Sequence, residues 1–203
     1  MALRLIRVND PTATATNILA HTTLFQLGFS GNLIAVAAYL VVTALLYQIF
    51  AAVNKNVSLV AALMSAAGCI LIAVGTAFYL TSLVVLTVAH PASGAALEQA
   101  QTFALILIKL YGQCYNTSLV FFAFYLILLG ILTYKSTFLP RILGVSLIAA
   151  GPGWLTFLWP PLARALFPWL LVTDIGEVAL IIWLIVHGVN SERWHEQMRM
   201  QTT

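Results

Sequence analysis

The sequence predicts an all-α polytopic transmembrane bundle of about five spans, and three observations predict it. Hydrophobic residues make up 62% of the chain and charged residues 7%, against roughly 25% charged in a soluble domain. Nine Lys plus Arg and six Asp plus Glu cannot solvate the surface of a 203-residue chain, so its solvent is largely lipid. Five apolar runs each reach the ~20 residues a helix needs to cross the hydrocarbon, and short polar or Pro/Gly breaks separate them.

The same composition excludes several function classes. The net charge of +3 comes from single basic residues at the ends of apolar runs, where membrane proteins place them, so no nucleic-acid partner is expected. Cys69 and Cys114 both fall in apolar segments without CxxC or metal-ligand spacing, the pattern of inert packing thiols. His21, His90, His187 and His195 sit at span ends or in the termini and read as interfacial or solvated groups. No HExxH, GxSxG, phosphate loop or metal-ligand cluster occurs, so no catalytic or metal residue is assigned and any cofactor is left open.

In chain order, residues 1–23 are mostly polar and form an N-terminal segment outside the hydrocarbon. Arg4 and Arg7 precede polar residues 9–17 in place of the apolar region of a cleavable signal. Asp10-Pro11 marks the start of a short surface helix, with proline at its first position. The first span covers about 24–50, and Asn54-Lys55-Asn56 turns the chain into an antiparallel second span over about 57–89. That span exceeds the hydrocarbon thickness, so it tilts or projects. Its Ala66-Ala67-Gly68, Gly75 and Ala77 make a small-residue stripe for close packing, read as packing within the chain before dimerisation.

His90-Pro91-Ala92-Ser93-Gly94 breaks the helix, and the third span covers about 102–134, with Lys135-Ser136-Thr137 as its turn. The fourth, about 139–159, is expected to be interrupted at Gly151-Pro152-Gly153. Trp154, Trp159 and Pro160-Pro161 form its interfacial exit. The fifth covers about 166–189 and closes the 24–190 bundle, leaving residues 191–203 as a polar tail. Five spans put Lys55, Lys135, Arg141, Arg193 and Arg199 on one face and Arg4, Arg7 and Arg164 on the other. The positive-inside rule then makes the C-terminus cytoplasmic and the N-terminal segment extracytoplasmic.

Polar residues inside the apolar runs supply the candidate site. Lys109, Gln113 and Asn116 recur at i, i+4 and i+7 and share a helix face. A charge in hydrocarbon costs at least about 2.5–3.5 kcal/mol on insertion scales, so Lys109 needs a partner or water. Counted from the outer boundary, Asn32, Lys109 and Asp174 all lie roughly 10–15 Å deep at 1.5 Å per residue, with Gln113 and Glu177 one turn deeper. Lys109 with Asp174 or Glu177, bordered by Asn32 and Gln113, would form a buried polar layer. Such a layer fixes helix register, binds a ligand or ion, or supplies acid and base. Tyr111 and Tyr115, on the same helix as Lys109, read as packing residues with hydrogen-bonded hydroxyls.

Three stretches carry a family resemblance. They are Phe121-Phe122-Ala123-Phe124-Tyr125 through Leu129-Gly130, Tyr134-Lys135-Ser136 and Phe138-Leu139-Pro140-Arg141-Ile142-Leu143-Gly144-Val145; Gly176-Glu177-Val178-Ala179-Leu180 with Trp183-Leu184 and His187-Gly188-Val189-Asn190; and the region 24–56 with its Val53-Asn54-Lys55 turn. On these the chain resembles, over nearly its whole length, the bacterial membrane proteins grouped as domain-of-unknown-function family 4386. The resemblance implies a multi-span protein of the bacterial inner membrane and implies no activity. Glu177 matches the family's Gly-Glu pair and Tyr111-Gly112 its Tyr-Gly pair, whereas Lys109 maps onto no family position. Family members usually carry a further apolar span before the region matching residues 12–17, so a sixth span is expected to be either lost here or encoded upstream.

The leading expectation is a non-enzymatic membrane module, either an accessory subunit of a larger membrane complex or homo-oligomer, or a binder of a small or lipidic ligand. A small carrier or ion pathway using the Lys/Asp/Glu layer is the alternative. An intramembrane enzyme acting on a lipid or isoprenoid is the third reading.

Overall fold

The computed structural model describes residues 6–201 apart from 8, 91 and 174, with the backbone alone at 168, 171–173 and 201. Arg4, Pro91 and Asp174, all used in the sequence reading, therefore lie outside the described residues. The elements are α1 (Pro11–Ala20), α2 (Thr22–Ala89), α3 (Ala95–Lys135), α4 (Arg141–Leu155), a 3-10 turn (Thr156–Leu158), α5 (Pro160–Thr173), α6 (Ile175–Val186) and α7 (Ser191–Gln201). No strand occurs among the described residues, so the fold is all-α.

Three described helical stretches are long and apolar enough to cross a membrane: α2, α3 and Arg141–Leu158. A fourth is reached if the bent pair α6 and Ser191–Met200 counts as one span. The chain is a multi-pass membrane protein. Large aliphatic side chains such as Ile34, Val41, Ile142 and Ile185 are exposed, as lipid-facing positions require.

The longest element, α2, is two helices merged across Asn54, whose backbone leaves the helical region at φ −161°, ψ 109°. The turn is thus one residue long, shorter than the Asn-Lys-Asn turn predicted. Asn54 makes this possible because its Oδ1 accepts the N–H of Val57 at 3.0 Å, satisfying a donor that the new helix start leaves open. The two halves run back along each other. Thr43 and Ser65 hydroxyls meet at 2.7 Å, and Ser58 Oγ donates to Tyr47 O at 3.0 Å.

The chain divides into two compact units, Met1–Ala38 with Ile70–Asn116 and Tyr39–Cys69 with Thr117–Thr203. In the first, α1 starts as its sequence predicts. Asp10 caps it by accepting from Ala13 N at 2.9 Å, and Pro11 stands at the first helical position. Thr14 Oγ1 closes the entry by donating to Arg7 O and accepting from Arg7 N, both at 2.9 Å. The core of this unit gathers Ala15, Ile18, Phe25, Tyr79, Leu83 and Ile108. Gly75 lets α2 press on α3, since a Cβ there would lie 2.8 Å from Cys114 Cβ.

The core of the second unit is aliphatic and aromatic, with Phe50, Tyr125, Leu126, Leu132, Leu147 and Leu180 at its centre. Here α3 and α4 cross at two glycines, because a Cβ on Gly130 would stand 2.8 Å from Gly144 O. Gly68 meets the Phe122 ring in the same way, so the two glycines of the small-residue stripe serve packing within the chain.

Three boundaries bear on the sequence reading. First, α4 runs through Pro152 to Leu155 and gives way only at the 3-10 turn that follows. Pro152 deletes one helical donor, and the α-helix continues to Leu155, with the 3-10 turn carrying the chain on to Trp159. Second, Pro160-Pro161 follows the end of the fourth span at Leu158 as expected and also forms the first turn of a further helix, α5, the position where a missing N–H costs nothing. Third, the segment expected as the fifth span begins earlier, at Pro160, and is described as α5 and α6 on either side of residue 174, both packed on α4. The polar tail is likewise a helix. Trp194 Nε1 on α7 donates to Ile49 O at 2.9 Å, and Gln197 Oε1 accepts from Thr137 N at 2.9 Å and from its hydroxyl at 3.1 Å.

Candidate functional site

The polar group most clearly held inside the second unit is Glu177, in the first turn of α6. Its neighbour Gly176 has no side chain to keep α6 away from α4. A Cβ at that position would lie 2.9 Å from the Ser146 carbonyl, so only glycine permits this approach. The contact fixes how closely α6 lies on α4 and hence where the glutamate projects. Glu177 is half-buried, and its Oε1 accepts the hydroxyl of Tyr39 at 2.8 Å.

Tyr39 is in turn held by aromatic edges, with Phe122 at 5.1 Å and Tyr125 at 6.3 Å between ring centroids. A hydrogen bond of this kind contributes about 1 kcal/mol net in water, but the same group left unmet in hydrocarbon costs several kcal/mol. One helical turn beyond Tyr39 stands the Thr43–Ser65 hydroxyl pair. Beside it lies a cavity of about 10 Å³ whose lining includes Thr43, Tyr47, Ser58 and Tyr125, about the least that admits a water molecule.

The first unit holds a separate polar pair. Asn32 Nδ2 donates to Tyr111 Oη at 3.0 Å, bringing together two residues that the sequence singled out separately. Tyr79 lies against them. Its ring stacks on Phe25 at 3.8 Å and 8° and stands 5.3 Å from that of Tyr111. Tyr79 is 4% exposed, and its hydroxyl has no hydrogen-bond partner among the described residues. A buried donor in that condition costs about 1–3 kcal/mol.

The stretch around Lys109 is arranged differently from the expectation. Lys109, Gln113 and Asn116 do share a face of α3, but all three are exposed. The opposite side of the helix buries Ala104, Leu105 and Ile108, so the aliphatic stripe, and not the polar one, turned inward. The stretch therefore does not join a buried layer through its side chains within this unit. The proposed partner Asp174 lies outside the described residues. Glu177 belongs to the other compact unit, where Tyr39 bonds its carboxylate.

Sequence reading missed Tyr39 and Tyr79, both lost among aromatic residues of apolar runs. The available signal was their phenol oxygen. A tyrosine far from either end of a membrane helix needs a partner at its own depth, and Glu177 and Asn32 were already candidates. Among the described residues no three His, Cys, Asp or Glu side chains converge as a metal site would require.

No curated protein and no solved structure matches the chain. The model of the domain of unknown function DUF4386 matches residues 2–188, which takes in Asn32, Tyr39, Tyr111 and Glu177 and stops short of α7. The chain belongs to the DUF4386 family.

Proposed function

We propose that the protein is a non-enzymatic binding module of a bacterial inner membrane, with its C-terminus cytoplasmic, which takes up a small or lipidic ligand at Glu177 or docks there as the accessory subunit of a larger complex. The observation that carries this reading is the Tyr39–Glu177 hydrogen bond within apolar helices. An ionisable group placed among membrane helices is by default a functional candidate. This one is positioned by a glycine contact and an aromatic clamp, yet remains half exposed. A carboxylate so held suits a ligand that offers a hydrogen-bond donor or a positive charge.

The test is a mild-detergent preparation analysed by native mass spectrometry. A bound small molecule or a larger complex should accompany the wild-type protein and be lost from Glu177→Gln. A bare wild-type protein would overturn the reading.

A second reading is a small carrier or ion pathway. It is favoured by the break between α4 and α5, through the 3-10 turn Thr156–Leu158 and Trp159, since discontinuous helices form the sites of many transporters. In that case Glu177→Gln and Lys109→Met abolish uptake into proteoliposomes while the fold survives.

A further inference from the structure

We propose that the first unit carries a second site, formed by Asn32, Tyr79 and Tyr111, which takes the carbonyl oxygen of an apolar molecule. This inference does not depend on Glu177. It starts from hydrogen-bond donors without matching acceptors. Tyr79 Oη is buried and meets no partner among the described residues. Tyr111 Oη accepts from Asn32 and so keeps its own proton to give.

Tyr79 cannot relieve its condition by local motion. A tyrosine oxygen lies on the axis of ring rotation, so turning the ring leaves it in place, and the stack on Phe25 at 3.8 Å holds the ring itself. The donor is thus fixed in an apolar wall, the arrangement that orients a ligand in a mostly hydrophobic pocket.

Access comes from the side of the Asn32–Tyr111 hydrogen bond, where both residues are half-buried while Tyr79 behind them is buried. A ligand oxygen enters by parting that bond, accepts from Tyr111 and Tyr79, and leaves the Asn32 amide to donate to it as well.

The chemistry of the cluster selects the ligand class. It offers two phenol O–H groups and one amide N–H, with no cation among them. The nearest cation in sequence, Lys109, is two residues from Tyr111, about 200° around the helix. A neutral carbonyl fits this set, and a phosphate does not. Such a carbonyl on an apolar body comes either from the acyl ester of a bilayer lipid or from a membrane quinone.

The experiment is native mass spectrometry of the full chain in mild detergent. It is titrated separately with dioleoylphosphatidylcholine, with the ether-linked analogue that lacks ester carbonyls, and with a decyl benzoquinone. Retention of the ester lipid about tenfold above the ether lipid identifies the bilayer as the source, and retention of the quinone identifies a quinone. In either case Tyr79→Phe and Tyr111→Phe should each weaken binding about tenfold, and Glu177→Gln should leave it unchanged. Equal retention of ester and ether lipids with none of the quinone would overturn the proposal. So would a Tyr79→Phe protein that melts higher and binds as before, because the hydroxyl would then be merely unmet.

Discussion

Tyr39 and Glu177 stand 138 residues apart in the chain, and their side chains meet at 2.8 Å. The contact ties the first helix of the hairpin to α6, within one compact unit. Removing the donor should therefore be felt in stability as well as in binding. Tyr39→Phe keeps the ring against Phe122 and Tyr125 and loses only the hydroxyl. It should destabilise the protein by about 1–2 kcal/mol in a detergent unfolding titration. Combined with Glu177→Gln the two losses should be non-additive, since each removes the same bond.

The glycines of the α3–α4 crossing should separate from glycines elsewhere. Gly130→Ala drives a methyl against Gly144 O and should cost about 1–3 kcal/mol by overpacking. Gly31→Ala meets nothing within 4 Å and should be neutral or stabilise by up to about 1 kcal/mol, the helix-propensity difference. Melting curves in one detergent compare the pair directly. Equal effects would mean that the two helices do not approach as described.

The hairpin can be trapped by a disulfide. Thr43 and Ser65 oxygens lie 2.7 Å apart, so cysteines at the two positions would bring their sulfur atoms within reach of each other by rotamer adjustment. In a background with Cys69 and Cys114 replaced, Thr43→Cys with Ser65→Cys should oxidise within one chain. On a non-reducing gel this gives a monomer of altered mobility. A dimer band would show that the two helices pair between chains instead.

Helix α7 should loosen when its indole donor is removed. Trp194→Phe keeps an aromatic ring and deletes the N–H that reaches Ile49 O, a loss of about 0.5–1.5 kcal/mol. Limited trypsin digestion should then cut faster at Arg193 and Arg199, while cleavage at Lys55 stays unchanged. Wild-type digestion rates at all three sites would refute the role given to Trp194.

Much of the fold was legible because its punctuation is chemical. Asp10-Pro11 announces a cap and a first turn, Asn54 a helix reversal, and Gly94, at φ 63°, a break that only glycine accepts cheaply. Proline carried two meanings. Pro152 was read as an interruption although a helix tolerates the loss of one donor. Pro160-Pro161, read as the end of the fourth span, stands there and also begins α5. Such cases turn on what packs nearby, which local sequence does not show.

The candidate site was legible by residue type and not by pairing. Glu177, Asn32 and Tyr111 stood out as polar groups in apolar runs. Lys109 stood out most, and it is exposed, because the helix turns its aliphatic stripe of Ala104, Leu105 and Ile108 inward instead. Tyr39 and Tyr79 emerged only with the structure, since an aromatic ring among leucines conceals its hydroxyl.

The one-residue reversal at Asn54 also constrains how this chain can vary in length. A loop of several residues absorbs an insertion, but a single non-helical residue has no slack. Each residue gained or lost between the two helices would swing the second through about 100°, carrying Ser58 and Ser65 away from Tyr47 and Thr43. Length differences among relatives should accordingly be excluded from this hairpin tip and gather at connections such as residues 90–94, where a longer strand of chain can take up the change.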